Sequence, residues 1–411
     1  MKRIISLLLA ALLALSFLSC AAPKEGSDPA PTGAGASETE AVGNGFIVLD
    51  RQCTFSNMHS SPLLDIADTL YYSFGAKENK VYFSDKEHRE WMPLCFKPDC
   101  FHRTSDCNAY IEGGQSLNIW AYGEHIYYMV NGGSTPQLWR MKLDGSDHEY
   151  VLALNFFKEE ENVYSEYTWS AVFHNKYLFV WFRGVKSELF AAENGADTLI
   201  YLVDLSLEKP SMELTSFTYE TSLPVCGQGD TVYTFNTLEN NSIYKLDLAK
   251  GTSEKLCEIP FYPESGFVLK GSRLYAADSI VDHQLVYIDL DTGTLTNLRS
   301  LDENVKFVFT DDYILGAGSV SIDPSGPQAT PKGEGTLIYD YEGNLIQHIP
   351  YETYNVNIFA FLASGNYVLG YDADSQTLNN LTSPPQWYLD LSELGSEDMT
   401  WHKWAPEDQQ G

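Results

Sequence analysis

One short pattern returns seven times along this chain, and that repetition restricts the fold more than any other feature of the sequence. A polar or turn pair precedes three mostly aromatic or apolar residues, as in Asp68-Thr69-Leu70-Tyr71-Tyr72, Glu124-His125-Ile126-Tyr127-Tyr128 and Asn175-Lys176-Tyr177-Leu178-Phe179. The fourth positions of the copies fall at 71, 127, 178, 233, 275, 314 and 368, so the spacing runs from about 39 to 56 residues. That is the length of one four-stranded propeller blade with variable loops. A second pattern follows most copies. Ile243-Tyr244-Lys245-Leu246-Asp247 and Val286-Tyr287-Ile288-Asp289 each read as a third strand closed by a hairpin turn at Asp and Gly. Helix signals are nearly absent. The expected fold is therefore all-β, a propeller of seven four-stranded blades spanning residues 45–411. Phe46 to Leu49 is expected to add a strand to the last blade and close the ring.

Two segments precede that domain. Lys2 and Arg3 lead an apolar run from Ile4 to Phe17, and Leu18-Ser19-Cys20 places a small residue before a cysteine. This is a secretory signal, too short to serve as a membrane span. Ending on cysteine, residues 1–19 resemble a bacterial lipoprotein signal peptide, which makes Cys20 the lipidated N-terminus. Residues 20–44 hold the lipidated cysteine and then Ala, Gly, Ser, Thr, Pro and Glu. That composition buries too little apolar surface to offset ordering entropy and reads as a disordered spacer. The expected location is the cell surface, lipid-anchored and extracytoplasmic.

The formal charge is −30, from 56 acidic against 26 basic residues. Nucleic acid and anionic lipid both attract basic patches, so neither is an expected partner of the folded part; the membrane is reached through the lipid.

Six cysteines remain after Cys20: Cys53, Cys95, Cys100, Cys107, Cys226 and Cys257. Three of them, with His102, form Cys-x4-Cys-x-His-x4-Cys, which the strand reading places between the outer strand of blade one and blade two. Two chemistries fit. In an exported chain the plain reading is disulfides, with Cys53, Cys95, Cys100 and Cys107 as the candidates. The sharper one is a structural zinc held by Cys95, Cys100, His102 and Cys107, a closed set of three thiolates and one imidazole. Beyond that candidate structural zinc, the sequence implies no cofactor. Cys226 and Cys257 fall on the first and fourth strands of blade four, beyond disulfide reach, and read as buried apolar residues.

The paired-tyrosine strand, the Tyr-x-Leu-Asp-x-x-x-Gly turn and above all the segment from Leu94 to Tyr110 resemble those of propeller-type surface lipoproteins of Gram-positive bacteria. The resemblance covers most of residues 45–411. It implies a propeller and a surface location; that family being functionally uncharacterised, it implies no activity.

The chain has no nucleophile elbow, zinc-protease helix, phosphate loop or dinucleotide fingerprint. Asp289-x-Asp291-x-Gly293 lacks the other ligands of a calcium loop and reads as a turn. No catalytic residue is assigned. Three insertions depart from the repeat, at about 184–197, 319–335 and 371–385, and mark the expected working face. The leading expectation is a non-catalytic binding or scaffold module for extracellular glycan, peptide or protein. A glycan hydrolase or lyase using carboxylates at the channel mouth is the first alternative. An envelope assembly factor is the second.

Overall fold

The computed structural model describes residues 63–404 apart from short loop segments, together with two strand pieces further upstream. The omitted segments are 75–78, 112–118, 133–134, 157–163, 187–195, 218–223, 237–240, 261–266, 279–283, 301–304, 319, 322–329, 332–334, 351–357, 365 and 373–383. Cys20, the spacer up to residue 40 and Cys53 lie outside the described residues.

Seven four-stranded antiparallel sheets follow one another and form a seven-bladed β-propeller. Each begins at the centre and works outward. Blade four, for example, runs Pro224–Gln228, Thr231–Asn236, Ser242–Asp247 and Thr252–Glu258 in that spatial order. The recurrent triplet is the second strand of every blade. It is sandwiched between neighbouring blades, so both of its faces are covered and alternation gives way to a continuous apolar run; in Thr231–Asn236 every residue after the first is buried. The fourth strand meets water, and Thr252–Glu258 and Thr294–Ser300 are accordingly polar and largely exposed. Among the described residues the helical content is one 3-10 turn, Leu391–Glu393. No helix among them is long and apolar enough to cross a membrane.

The core is divided into seams between blades. Tyr177, Phe179 and Ile200 of blade three pack on Val232 and Leu246 of blade four, and Leu315 and Ile338 of blade six pack on Val368 and Leu389 of blade seven. Each buried Leu, Ile or Phe contributes roughly 1.5–3 kcal/mol relative to exposure. The ring closes where Leu63, Leu70 and Tyr72 of blade one meet Leu369, Tyr388 and Trp404 of blade seven.

That closure corrects one expectation. Phe46–Ile47 does not join the last blade; it pairs with Ala41–Val42, inside the stretch read as spacer, in a separate two-stranded sheet. Blade seven takes all four strands from the C-terminal part of the chain, Ile358–Ser364, Tyr367–Asp372, Trp387–Asp390 and His402–Lys403. His402–Lys403 already occupies its outer edge, and Trp404 fills the seam beside it. Side chains complete the junction: Trp404 Nε1 donates to Ser84 Oγ at 3.0 Å and Trp91 Nε1 to Pro385 O at 2.9 Å, while Arg89 reaches the Tyr388 hydroxyl.

The aspartate of the second pattern has a fixed task. Its carboxylate accepts backbone N–H groups within the turn from third to fourth strand, as Asp204 does from Ser206, Asp247 from Lys250, Asp340 from Glu342 and Asn344, and Asp390 from Ser392. Asp289 accepts from Asp291 and Thr292, so Asp289-x-Asp291-x-Gly293 is a turn, as expected. The turn glycine then lies against the outer strand of the preceding blade, Gly343 on Leu298 and Gly293 on Leu256, with φ of +85° and +67°.

Candidate metal centre

Strand pairing places the cysteine segment more closely than the sequence did. In blade one the outer strand Met92–Pro93 lies opposite Phe83 and Tyr82, and Leu94 N donates to Val81 O at 2.9 Å. The chain then leaves the sheet and returns. Ala109 O accepts from Val81 N at 2.9 Å, Tyr110 bridges Lys80, and Ile111 N donates to Asn79 O at 2.7 Å. The segment between Leu94 and Ala109 is thus an excursion within the outer edge of blade one rather than a connector between blades.

Tight turns fold the excursion. Cys100 N donates to Lys97 O at 3.3 Å, and Cys107 N to Thr104 O at 3.0 Å. Asp99 and His102 adopt left-handed backbone angles, φ +60° and +54°, which a side chain bearing a Cβ adopts at a cost of about 1–2 kcal/mol. The result brings Cys95, Cys100, His102 and Cys107 together, with all four potential ligand atoms within 4.8 Å of one another. His102 Nδ1 lies 3.4 Å from Cys107 Sγ. Cys95 and Cys107 are buried, at 8% and 2% exposure, while Cys100 is half-buried.

The polar surroundings bear on the sulfurs unequally. Burial works against ionising the Cys95 thiol, yet the backbone N–H groups of Lys97 and Asn108, with the Cys100 and Cys107 thiols, hold its pKa below the ordinary value. Burial pushes Cys107 up to about 11, although the Ala109 N–H is directed at it.

Blade two braces the excursion. His148 Nε2 donates to Asn108 O at 2.8 Å and lies 3.1 Å from Gly145 O, while Nδ1 accepts the Tyr128 hydroxyl at 2.6 Å. Burial raises the Tyr128 pKa, so that hydroxyl remains a donor. Gly145 abuts Leu94 directly. Neither His148 nor Gly145 stood out as a site residue in the sequence; the recurrence of glycine after the turn aspartate was the available signal. Two aromatic side chains of the excursion face solvent, Phe96 at 63% and Phe101 at 84% exposure, and Phe96 rests 5.1 Å from Phe83.

The remaining candidates stay apart. Cys226 and Cys257 lie on the first and fourth strands of blade four, in the seam with blade five, and burial raises the Cys257 pKa. The three insertions all fall between second and third strands. In blade three the flanking strands extend together through Gly184↔Asp197 and Val185↔Ala196. In blade six the insertion carries a small hairpin, Val320–Ser321 with Thr330–Pro331. In blade seven it follows Tyr367–Asp372.

No family model matches the chain, and no curated protein does. Solved structures align loosely. The computationally designed Ika8 protein aligns at 12% identity and a TM-score of 0.41, over 86% of this chain and 99% of that one. BamB from Moraxella catarrhalis aligns at 12% and 0.39 over 79% and 83%, and TolB from Acinetobacter baumannii at 14% and 0.33 over 68% and 64%. Likenesses this distant carry no functional argument. The class, a seven-bladed β-propeller, rests on the blades themselves.

Proposed function

We propose that the chain is a lipid-anchored surface protein of the Gram-positive propeller type, held at the membrane through Cys20, and that it acts as a non-catalytic binding or scaffold module for extracellular glycan, peptide or protein. One observation carries the binding reading. In an antiparallel blade the connection from second to third strand always falls at the same end of the ring, and all three long insertions occupy that connection. The strands that flank all three departures from the repeat open toward that one end, and loops that depart from a repeated scaffold are where a fold takes on a ligand.

The alternative of glycan cleavage needs a pair of carboxylates facing one another across a few ångströms at the channel mouth. The innermost strands carry Asp65 and Glu166, and Asp65 is ion-paired to Lys86 at 2.7 Å. No specific observation favours that chemistry or an envelope-assembly role.

The test replaces residues 187–195, 322–329 and 373–383 by short hairpin turns and compares crosslinked partners and polysaccharide retention on whole cells with those of the parent. Loss of a ligand that the parent retains, with the propeller still folded, supports the reading. Retention of every ligand by the shortened chain refutes it. Cys20→Ala, in turn, should release the protein into the medium.

A further inference from the structure

We propose that Cys95, Cys100, His102 and Cys107 form a closed structural zinc site that pins the excursion in the outer strand of blade one. This does not rest on the binding reading above.

The geometry has the dimensions of such a site. Zinc bound to thiolate at about 2.3 Å and to imidazole at about 2.0–2.1 Å in a tetrahedron separates neighbouring ligand atoms by about 3.5–3.8 Å. The His102 Nδ1 to Cys107 Sγ distance is 3.4 Å, and the whole set lies within 4.8 Å. Left-handed angles at Asp99 and His102 turn the chain so that the imidazole joins the sulfurs. Non-glycine residues hold such angles where the surroundings impose them.

Donor chemistry points the same way. Three thiols and one imidazole are a preferred structural zinc set, and calcium or magnesium would take oxygen ligands instead. On binding, each thiol loses a proton to solvent and His102 lends a neutral nitrogen lone pair. Zn2+ with three thiolates therefore leaves the centre at a net charge of −1. Backbone N–H groups of Lys97 and Asn108 directed at Cys95, and of Ala109 at Cys107, supply the outer hydrogen bonds that thiolates at a metal require. A disulfide uses these groups less completely: a bond between any two of the three does not engage His102, and the third thiol would need Cys53 as its partner.

All four coordination positions belong to the protein, so the metal has no open position for substrate and its work is mechanical. It ties the two ends of the excursion together, Leu94 and Ala109, both of which pair with Val81. In this way blade one regains its outer edge after a detour that has no strand pairing of its own.

The experiment takes the full chain purified without chelator or reductant. Bound metal is measured by elemental mass spectrometry, and thiols are counted before and after chelation. The proposal expects about one zinc per chain, and Cys95, Cys100 and Cys107 reactive only once the metal is removed. Cobalt exchanged into the site should show thiolate-to-metal charge-transfer absorption. His102→Ala should raise the zinc dissociation constant at least about tenfold. If that variant does not fold, the cobalt spectrum of the unaltered chain still decides. A metal-free chain lighter by about two daltons per bonded pair, with any of the three cysteines in a bridged peptide, overturns the proposal. So does a reduced, metal-free chain that fails to take up zinc at about micromolar concentration.

Discussion

Gly145 of blade two lies so close to the Leu94 carbonyl of blade one that no β-carbon fits between them. Its φ of +78° adds a second demand for glycine. Gly145→Ala should therefore cost about 2–4 kcal/mol, left-handed strain plus displacement of the outer strand. Gly271 has a φ of +60° and open space around it, so Gly271→Ala should cost only about 1–2 kcal/mol. Denaturant midpoints of the two variants decide the matter; equal losses would show that the contact with Leu94 contributes nothing.

Trp404 joins the end of the described chain to its beginning, buried against Leu63, Leu70 and Tyr72 and bonded to Ser84. Trp404→Ala should lower stability by about 3–5 kcal/mol. Leu345, on the exposed outer strand of blade six, is the control, and Leu345→Ser should change stability by less than about 0.5 kcal/mol. Thermal denaturation of both variants measures the contrast.

The turn aspartates make stability depend on acid in a defined direction. The Ser146 hydroxyl and then its N–H hold Asp144 below the ordinary carboxylate value. For Asp289 the cause is first the Thr292 N–H and then its hydroxyl. A folded pKa below the unfolded one gives stability that is present above the unfolded value of about 3.9 and lost as pH falls through the folded value. Asp289→Asn should then be less stable than the parent at about pH 7, with the gap closing towards about pH 3. Urea midpoints across that range measure it, and a gap independent of pH would exclude the charged turn as its source.

Cys226 is fully buried in the seam between blades four and five, with two strands between it and Cys257. It should resist thiol reagents until the protein unfolds, and Cys226→Ser should cost about 1–3 kcal/mol for burying a hydroxyl in an apolar site. Peptide mapping that found Cys226 bonded to Cys257 would contradict the strand order of blade four.

The second strands were legible because neighbouring blades cover both of their faces, which forces the apolar triplet at each copy from Tyr71 to Val368. The third strands were legible from the aspartate that each turn requires for its N–H groups. The innermost strands share no such signature, since Pro224–Gln228 and Val305–Phe309 have little in common. In the cysteine segment the residue set was visible, but its position was not. That Tyr110 resumes pairing with Lys80 is a matter of hydrogen-bond register, which leaves no periodic trace. The closing strand was misplaced for a similar reason. Trp401 and Trp404 stand beyond the last third-strand pattern, yet only packing reveals that Trp404 seals blade one.

The seam between the first and last blades also orders events in time. Ser84 meets Trp404 across 320 residues of chain. Synthesis runs from the N-terminus, so the apolar side of blade one formed by Leu63, Leu70 and Tyr72 waits uncovered until nearly every later residue has been made. A chain halted short of Trp404 carries an open edge at each end of its stack of blades, with sheet and apolar side chains free to join another such chain. Trp404 is thus a checkpoint for completeness, and products truncated before it should announce themselves by aggregation.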